Sequence, residues 1–586
     1  MLNSVELLAP AGTPDALAAA LDAGADAVYL GGKSFNMRAH NSNFNFSDAQ
    51  LYDAVNLAHA RGKKIYVTLN NLISSDELDP LEKFLRTLND IQPDAILVQD
   101  LAVLSLVRKL NINIPLHASV MMNTHNTAAV EMLKSFGITR VVVSRELSLA
   151  EVALLKERTG IELEYFVHGD MCIAESGQCI HSGVTFGLSG NRGRCMKPCR
   201  WAYKLVDEDS GDALDDWSHK LALNDMCMFR HIPELIHAGI SSFKIEGRMR
   251  PPEFIRRIVE NYRREIDSYF ADPAGYVVDE SRWKNLFDNR VRDFTTTFAL
   301  GATSIHDIGL SGAREPKIFS RAVPEVAAVI SKPIRAINVV KPQLTVRTSS
   351  LDGARAAIDS GADVVYIGGE VFKPLKPWTA DELKMAINFA HAAGKKIFFA
   401  FPRTAKDIDL DRIKIPAQVD GVLVGNLGSL KRVKELNIPV RADVSFNVFN
   451  HVAADFLRGL GVEQAAASLE LSDVQLRSLV ENSPLPIEII VHGAIESMLC
   501  DHDFAEMYQL DTNHHYALLD TAGEIHSMRL DQFNRWHIFF GKERCLLPYL
   551  DKINVAALRI EAQNYSPDVV AQVVKTYRDA LKEVLL

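Results

Sequence analysis

The sequence predicts an α/β protein, a tandem duplication of (β/α)8 TIM-barrel-like domains. Three observations predict it. The chain has 586 residues, more than one core of about 100–250 residues accommodates. Its first half repeats one grammar, a short apolar β-branched run, a turn and an amphipathic stretch at helical spacing, which is the pattern of βα units on a parallel sheet. Its second half restates the first, phrase by phrase and in the same order.

Eight strands are expected in the first half. Glu6–Ala9 comes first, with the amphipathic stretch Thr13–Ala23 behind it. Ala27–Leu30 and Lys64–Leu69 flank the helical segment Asp48–Ala60. Ala95–Val98 leads into Leu101–Leu110, and Pro115–Ser119 into Thr127–Phe136. Arg140–Ser144, Glu162–Val167 and Ser241–Ile245 complete the set. That number points to a closed barrel, with an open doubly wound sheet as the rival topology.

The repeat is explicit. GADAVYLGGKSF from Gly24 returns as GADVVYIGGEVF from Gly361, and AHARGKKIYVTL from Ala58 as AHAAGKKIFFAF from Ala390. SRELSLAEV becomes SLELSDVQL, FVHG at Phe166 becomes IVHG at Ile490, and SFKIEGR at Ser242 is echoed by ALRIEAQ at Ala557. The domains are therefore set at 1–330 and 344–586, joined by a linker at 331–343 that two prolines bracket. Residues 271–330 lack a counterpart in the second copy and are expected to form a small appendage to the first.

Composition narrows the class. Hydrophobic residues at 47% with charged residues at 24% describe a globular chain without long disordered arms. MLNSVELLAPAG has no basic segment followed by a long apolar run, and nowhere do about 18 apolar residues run together. A cytoplasmic protein without membrane insertion is expected. The net charge of -10 argues against a broad nucleic-acid-coating surface and leaves room for a local RNA-binding patch.

Five of the seven cysteines fall between Cys172 and Cys227, and in a reducing compartment such clustering favours metal over disulfides. Cys172, Cys179, Cys195 and Cys199 form C-x6-C-x15-C-x3-C in a glycine-rich loop, 168–200, after the seventh strand. In a parallel barrel that loop lies at the carboxyl-terminal face, where βα loops build active sites. Four soft thiolates suit an iron–sulfur cubane. Zinc usually uses two tight C-x2–4-C knuckles, of which only Cys195–Cys199 approximates one. Cluster, zinc and unligated cysteines all stay open on spacing alone. Cys227 reads equally as a fifth ligand or a core thiol, and its counterpart Cys545, in the copy without the four-cysteine set, favours packing.

The residues ELLAPAG, GADAVYLGG, SRELSLAEV, HGDMC, SGQC, NRGRCMKPCRW and SFKIEGRM resemble the collagenase-like peptidases of family U32 over essentially the whole first half. The resemblance implies oxygen-independent hydroxylation in place of proteolysis: of the tRNA wobble uridine with prephenate as oxygen donor, of a ribosomal RNA cytidine, or of ubiquinone precursors by a pair of subunits. It implies a [4Fe–4S] cluster on Cys172, Cys179, Cys195 and Cys199, with Cys227 as the reserve ligand. The expected partner is thus tRNA or a small aromatic substrate, together with an electron-transfer protein. The second copy departs from the tRNA group and resembles a fusion of two related subunits. It is expected to serve as a cluster-free partner domain that completes the cleft or holds the substrate. The alternatives are a collagenase-like peptidase, for which no G-x-S-x-G or H-E-x-x-H motif appears, and a noncatalytic RNA- or partner-binding scaffold with a structural metal.

Residues at strand carboxyl ends complete the expected site. His117, Asn70, His168 and Glu246 are the candidate catalytic groups, histidine and glutamate as proton carriers. Arg38, Asn36, Ser119, Arg145 and Arg248 are the candidate substrate binders, the arginines for the carboxylates of a dianion such as prephenate. The second copy is an internal control. His168 and Glu246 persist as His492 and Glu561, which fits a shared structural role, whereas Arg38, Asn70, His117, Ser119, Arg145 and Arg248 become Leu375, Pro402, Arg441, Asp443, Leu469 and Gln563.

Overall fold

The computed structural model describes residues 4–315, 330–336 and 341–584. In chain order the first repeat contributes β1 (Glu6–Pro10), β2 (Ala27–Gly31), β3 (Lys64–Leu69), β4 (Ala95–Val98), β5 (Leu116–Ala118), β6 (Ile138–Val142), β7 (Glu162–Gly169), β8 (Tyr203–Asp207), β9 (Asp225–Cys227) and β10 (Ser242–Ile245). β1 to β7 run parallel in sequence order, and β10 pairs with both β7 and β1, which closes an eight-stranded barrel. Strands buried on both faces are apolar throughout, as in AVYLG of β2 and AILV of β4. Each fully buried Leu, Ile or Val contributes roughly 1.5–3 kcal/mol by leaving water.

A second parallel barrel follows, running from Gln343–Arg347 to Ile487–Gly493 and closed by Ala557–Glu561 against both of those strands. The two-barrel α/β architecture is the expected one, and the open sheet is excluded by closure. Residues 331–336 of the expected linker lie against the second repeat, with Ile334–Arg335 paired to Ile553–Asn554; 337–340 lie outside the described residues. Within 271–330, Phe294–Thr295 extends the first barrel's sheet through β9, and 316–329 are outside the described residues. Among the described residues no helix is long and apolar enough to cross a membrane.

The barrels meet rim to rim through equivalent residues. Asn126 Nδ2 donates to the Ala405 carbonyl at 2.8 Å, and its counterpart Asn450 donates to the Ile73 carbonyl at 2.9 Å. Thr127 N–H likewise meets Asp407, while His451 meets Ser75. The contact is a pseudo-twofold interface of the kind that joins identical subunits. A second junction is a five-stranded antiparallel sheet in which four strands of residues 496–539 are completed by β8.

Inside the first barrel, polar side chains stack in layers. At the amino-terminal end Arg140 bridges Glu6 at 2.5 Å and Glu164 at 3.5 Å. His117 belongs to this layer, not to the mouth: its ring stands edge-on to Tyr66 at 4.9 Å. Burial, then the charges of Arg140, Lys244 and Lys64, push its pKa well below 6.5. The sequence places it at a strand end because β5 is short, but its side chain points down into the barrel. A proton carrier at the mouth is therefore not what His117 supplies.

The second barrel is plugged by its own charges. Arg347 pairs with Glu370 and Asp443, and Arg559 with Asp443, Glu488 and Glu561, both arginines being fully buried. Each arginine is thus matched by two or three carboxylates, which offset the cost of burying its charge.

Candidate active site

The first barrel's mouth holds a compact charged group. Arg38, after β2, donates to Glu246, after β10, at 3.0 Å, and the Tyr29 hydroxyl donates to the same carboxylate at 3.0 Å. Arg248 is buried beside them and donates to Thr68 Oγ1 at 3.1 Å. Burial, then repulsion from Arg38, pulls the Arg248 guanidinium down to about 10. Burial alone would raise the Glu246 carboxyl, and Arg38 and Arg248 outweigh it and hold it below the usual carboxylate range. The group thus places two guanidiniums beside one carboxylate, with only Arg38 of the two bonded to it directly.

The remaining predicted residues divide. Asn36 is committed to its own loop, donating to the Gly32 carbonyl and accepting from the Arg38 N–H, so it shapes the segment that carries Arg38. Asn70 donates to Ser119 Oγ at 3.3 Å across the rim. Arg145 lies over the Phe166 ring at 4.5 Å. His168 packs edge-on to Tyr262 at 5.7 Å, and His492 packs on Tyr577 in the same way at 5.4 Å. Burial takes His168 down to about 3, and the identical arrangement in the plugged barrel gives it a packing role in place of proton transfer.

The cysteine loop lies over this mouth. Gly193, at φ +75°, brings the loop so close to the Arg38 segment that a Cβ would meet the Asn36 carbonyl at 2.4 Å. Asp170, just before Cys172, is caged by Arg292 at 2.7 Å, Arg250 at 2.9 Å and Lys197 at 3.5 Å. The Lys197 N–H donates to the Cys195 sulfur at 3.2 Å. Burial pushes the thiols of Cys179, Cys195 and Cys199 up, Cys199 to about 12. A cationic centre among them would reverse that direction.

Four cysteine sulfurs are a soft donor set that both an iron–sulfur cluster and zinc accept. Sulfurs around one tetrahedral zinc stand about 3.8 Å apart, given Zn–S bonds of about 2.3 Å. Among the described residues no three of these sulfurs lie mutually within 4.8 Å. Cys227 stands apart: its sulfur is 3.7 Å from the Tyr262 hydroxyl, as Cys545 is 3.8 Å from Tyr577. The repetition assigns Cys227 to packing.

The second repeat holds the loop from above, which sequence reasoning did not find. Glu175 N–H donates to the Leu499 carbonyl and Ile180 N–H to the Ser497 carbonyl, both at 2.8 Å. Asn447 donates to the Gly177 carbonyl at 2.8 Å, and Thr404 Oγ1 to the Glu175 carboxyl at 2.6 Å. Asn191 bridges the Cys179 carbonyl and Glu470, donating to the latter at 2.8 Å. Glu470 sits in the repeated SRELS/SLELS phrase, the one signal that marked it.

The same family model, described as peptidase family U32, matches residues 12–308 and again 349–586. The chain belongs to peptidase family U32. This U32 chain is similar to tRNA hydroxylation protein P1 of Bacillus subtilis (strain 168), with 36% identity over 301 residues, 50% of this chain and 71% of that protein. It is similar to the 23S rRNA 5-hydroxycytidine synthase of Escherichia coli (strain K12), with 34% identity over 337 residues, 56% of this chain and 49% of that one. It is also similar to a collagenase of Porphyromonas gingivalis (strain ATCC BAA-308 / W83), with 31% identity over 327 residues, 52% of this chain and 78% of that one. The double match of one family model makes both halves U32 repeats.

Proposed function

We propose that this U32 protein is an enzyme that hydroxylates a pyrimidine base of RNA without molecular oxygen. The observation that carries the reading is the pairing of a four-cysteine loop with the Arg38, Arg248 and Glu246 mouth beneath it. Relatives named for tRNA hydroxylation and for an rRNA hydroxycytidine support it. Cys172, Cys179, Cys195 and Cys199 would hold a [4Fe–4S] cluster, which supplies one-electron chemistry when bound.

Replacing C–H by C–OH adds one oxygen atom and removes two electrons from the base. A co-substrate must deliver that oxygen and take up the electron pair. Prephenate carries two carboxylates and a hydroxyl, and Arg38 and Arg248 offer paired donors to such a dianion. Glu246 fixes the Arg38 fork, and Tyr29 fixes Glu246. Relatives named for RNA hydroxylation make an RNA base the preferred substrate over a quinone precursor.

A hydrolytic reading gains nothing from the geometry. Ser144, His125 and Glu146 have the residue types of a hydrolase triad, with Ser144 Oγ 3.2 Å from His125 Nδ1. Ser144 is 0% exposed, so no peptide reaches it.

The test is mass spectrometry of nucleosides from cells with and without the gene. Loss of a hydroxylated pyrimidine on deletion is expected, and an unchanged nucleoside profile would overturn the reading. Anaerobically purified protein should be brown with about four irons per chain; a colourless zinc protein would remove the cluster from it.

A further inference from the structure

The four-cysteine loop begins at Asp170, directly after β7, and ends at Arg200, directly after Cys199. One network of charges joins these two ends. Arg200 Nη2 donates to the Met171 carbonyl at 2.7 Å, and its Nη1 donates to Glu315 at 3.0 Å. Glu315 also accepts a fork from Arg292, Nε at 2.6 Å and Nη2 at 3.0 Å. Arg292 Nη1 then donates to Asp170 at 2.7 Å, which returns the network to the start of the loop. The side chains of Arg200, Arg292 and Glu315 are 4%, 5% and 6% exposed, so these charges meet one another in place of water.

Arg292 and Glu315 come from the segment 271–315, beyond the first barrel's closing strand. Phe294–Thr295 pairs with β9, which sets Arg292 beside Asp225, to which it donates at 3.0 Å. Gly309 N–H donates to the Ala222 carbonyl and His219 N–H to the Leu310 carbonyl, which lays the chain before Glu315 along 219–224.

The second repeat is a control for this arrangement. Gly169 and Gly493 hold equivalent places, paired antiparallel to Met226 and Arg544. The next residue is Asp170 in the first repeat and Ala494 in the second, where no four-cysteine set follows. A barrel of this kind therefore closes without the carboxylate. What Asp170 serves is the loop: a long loop loses entropy when it is held in one conformation, and a tether across its ends removes most of the open ones.

We propose that the segment 271–315 is a clamp on the cysteine loop, with Arg292 and Glu315 as positioning residues that act through Asp170 and Arg200. Cys172 lies two residues from one clamped end and Cys199 one residue from the other, so the clamp fixes the first and last thiols relative to each other. Its consequence for metal affinity rests on the reading of this loop as a metal site; the closure of the loop does not.

Metal-free full-length protein would be titrated with Co2+, whose thiolate absorbance reports sulfur ligation. Alkylation rates of Cys172 and Cys199 would be followed separately by mass spectrometry of the peptides. Asp170→Ala copies the second repeat and leaves Arg292 paired with Asp225 and Glu315, whereas Glu315→Gln leaves it paired with Asp170 and Asp225. Each is expected to weaken cobalt binding by about tenfold and to speed alkylation by a similar factor, the effect of losing a hydrogen bond between charged groups. The double variant should be little worse than either alone, because both substitutions open one clamp. Asp293→Asn removes an exposed pair with Arg290 on the same segment and should leave both readouts unchanged. An equal effect in Asp293→Asn would show general loosening of the segment and overturn the clamp, as would wild-type behaviour of Asp170→Ala and Glu315→Gln. If wild-type protein gives no cobalt–thiolate band, the metal reading of the loop falls and alkylation alone decides: faster reaction in both variants upholds the clamp, and wild-type rates overturn it.

Discussion

Asn126 and Asn450 hold equivalent places in the two repeats, and each caps its own helix while donating to a carbonyl of the other repeat. Asn450 additionally donates to Asp100 at 3.0 Å. One residue type thus fixes a helix start and the pseudo-twofold contact together. Loss of an N-cap costs about 1 kcal/mol, and a buried acceptor left alone costs about 1–3 kcal/mol more. Asn450→Ala should therefore destabilise by about 2–4 kcal/mol in urea unfolding, and Asn126→Ala by somewhat less because it lacks the Asp100 bond. Equal effects below about 0.5 kcal/mol would show that the rims are not coupled through these side chains.

Cysteine substitutions should separate ligands from packing. Cys172→Ala, Cys179→Ala, Cys195→Ala and Cys199→Ala are each expected to lower iron content and visible absorbance after anaerobic reconstitution. Cys227→Ala should keep both and cost about 1 kcal/mol of stability, since its thiol only packs against Tyr262. Loss of iron in Cys227→Ala would restore it as the reserve ligand.

Arg248 is buried beside a like charge. Arg248→Met should weaken prephenate binding by about 10–100-fold, the worth of hydrogen bonds to a charged group, while the unfolding temperature stays level or rises. A variant that binds prephenate normally would place the anion elsewhere.

Glu470 should act on the loop through Asn191. Desolvation pushes its carboxyl up to about 7, so Glu470→Gln preserves an acceptor for Asn191 and is expected to behave as wild type. Glu470→Ala should speed alkylation of Cys179 by about tenfold, the effect of losing about 1.4 kcal/mol of loop closure. Mass spectrometry of the alkylated peptide from metal-free protein reads this, and equal rates in both variants would leave Glu470 without a positioning role.

The pH dependence of stability has a definite sign at His168. Its folded value of about 3 lies below the unfolded value of about 6.5. Above pH 6.5 both states are neutral and the contribution is complete. Between 6.5 and 3 only the unfolded chain takes the proton, so stability falls with pH by up to about 1.4 kcal/mol per unit. Glu175 runs the other way. Burial raises it to about 8, so its contribution is present below about 4.5 and lost as pH rises through 8. Urea unfolding from pH 7 to 5 should show a shallower fall in His168→Phe than in wild type, and Glu175→Gln should remove the opposing slope. Parallel curves for His168→Phe and wild type would mean that His168 is not buried neutral.

Local patterning determined much of this molecule from sequence alone. The eight strands of the first barrel stand within one or two residues of the apolar runs that mark them, because a doubly buried strand must be apolar along its length. The duplication was legible because equivalent turns repeat equivalent glycines and motifs. Arg38, Glu246 and Arg248 were legible as mouth residues because the carboxyl end of a parallel strand has a fixed side. His117 was not, since a three-residue strand does not reveal how deep its middle side chain points.

The relation between the repeats lay beyond that reach. No periodicity reports that Glu470, Thr404 and Ser497 close over a loop some 300 residues earlier, or that β8 completes a sheet of the second repeat. Sequence encodes what each segment buries on its own element, through short-range spacing. Which segments then share a cavity, a carboxylate or a carbonyl is set by the docking of two complete barrels, and that is a property of surfaces that exist only after both have closed.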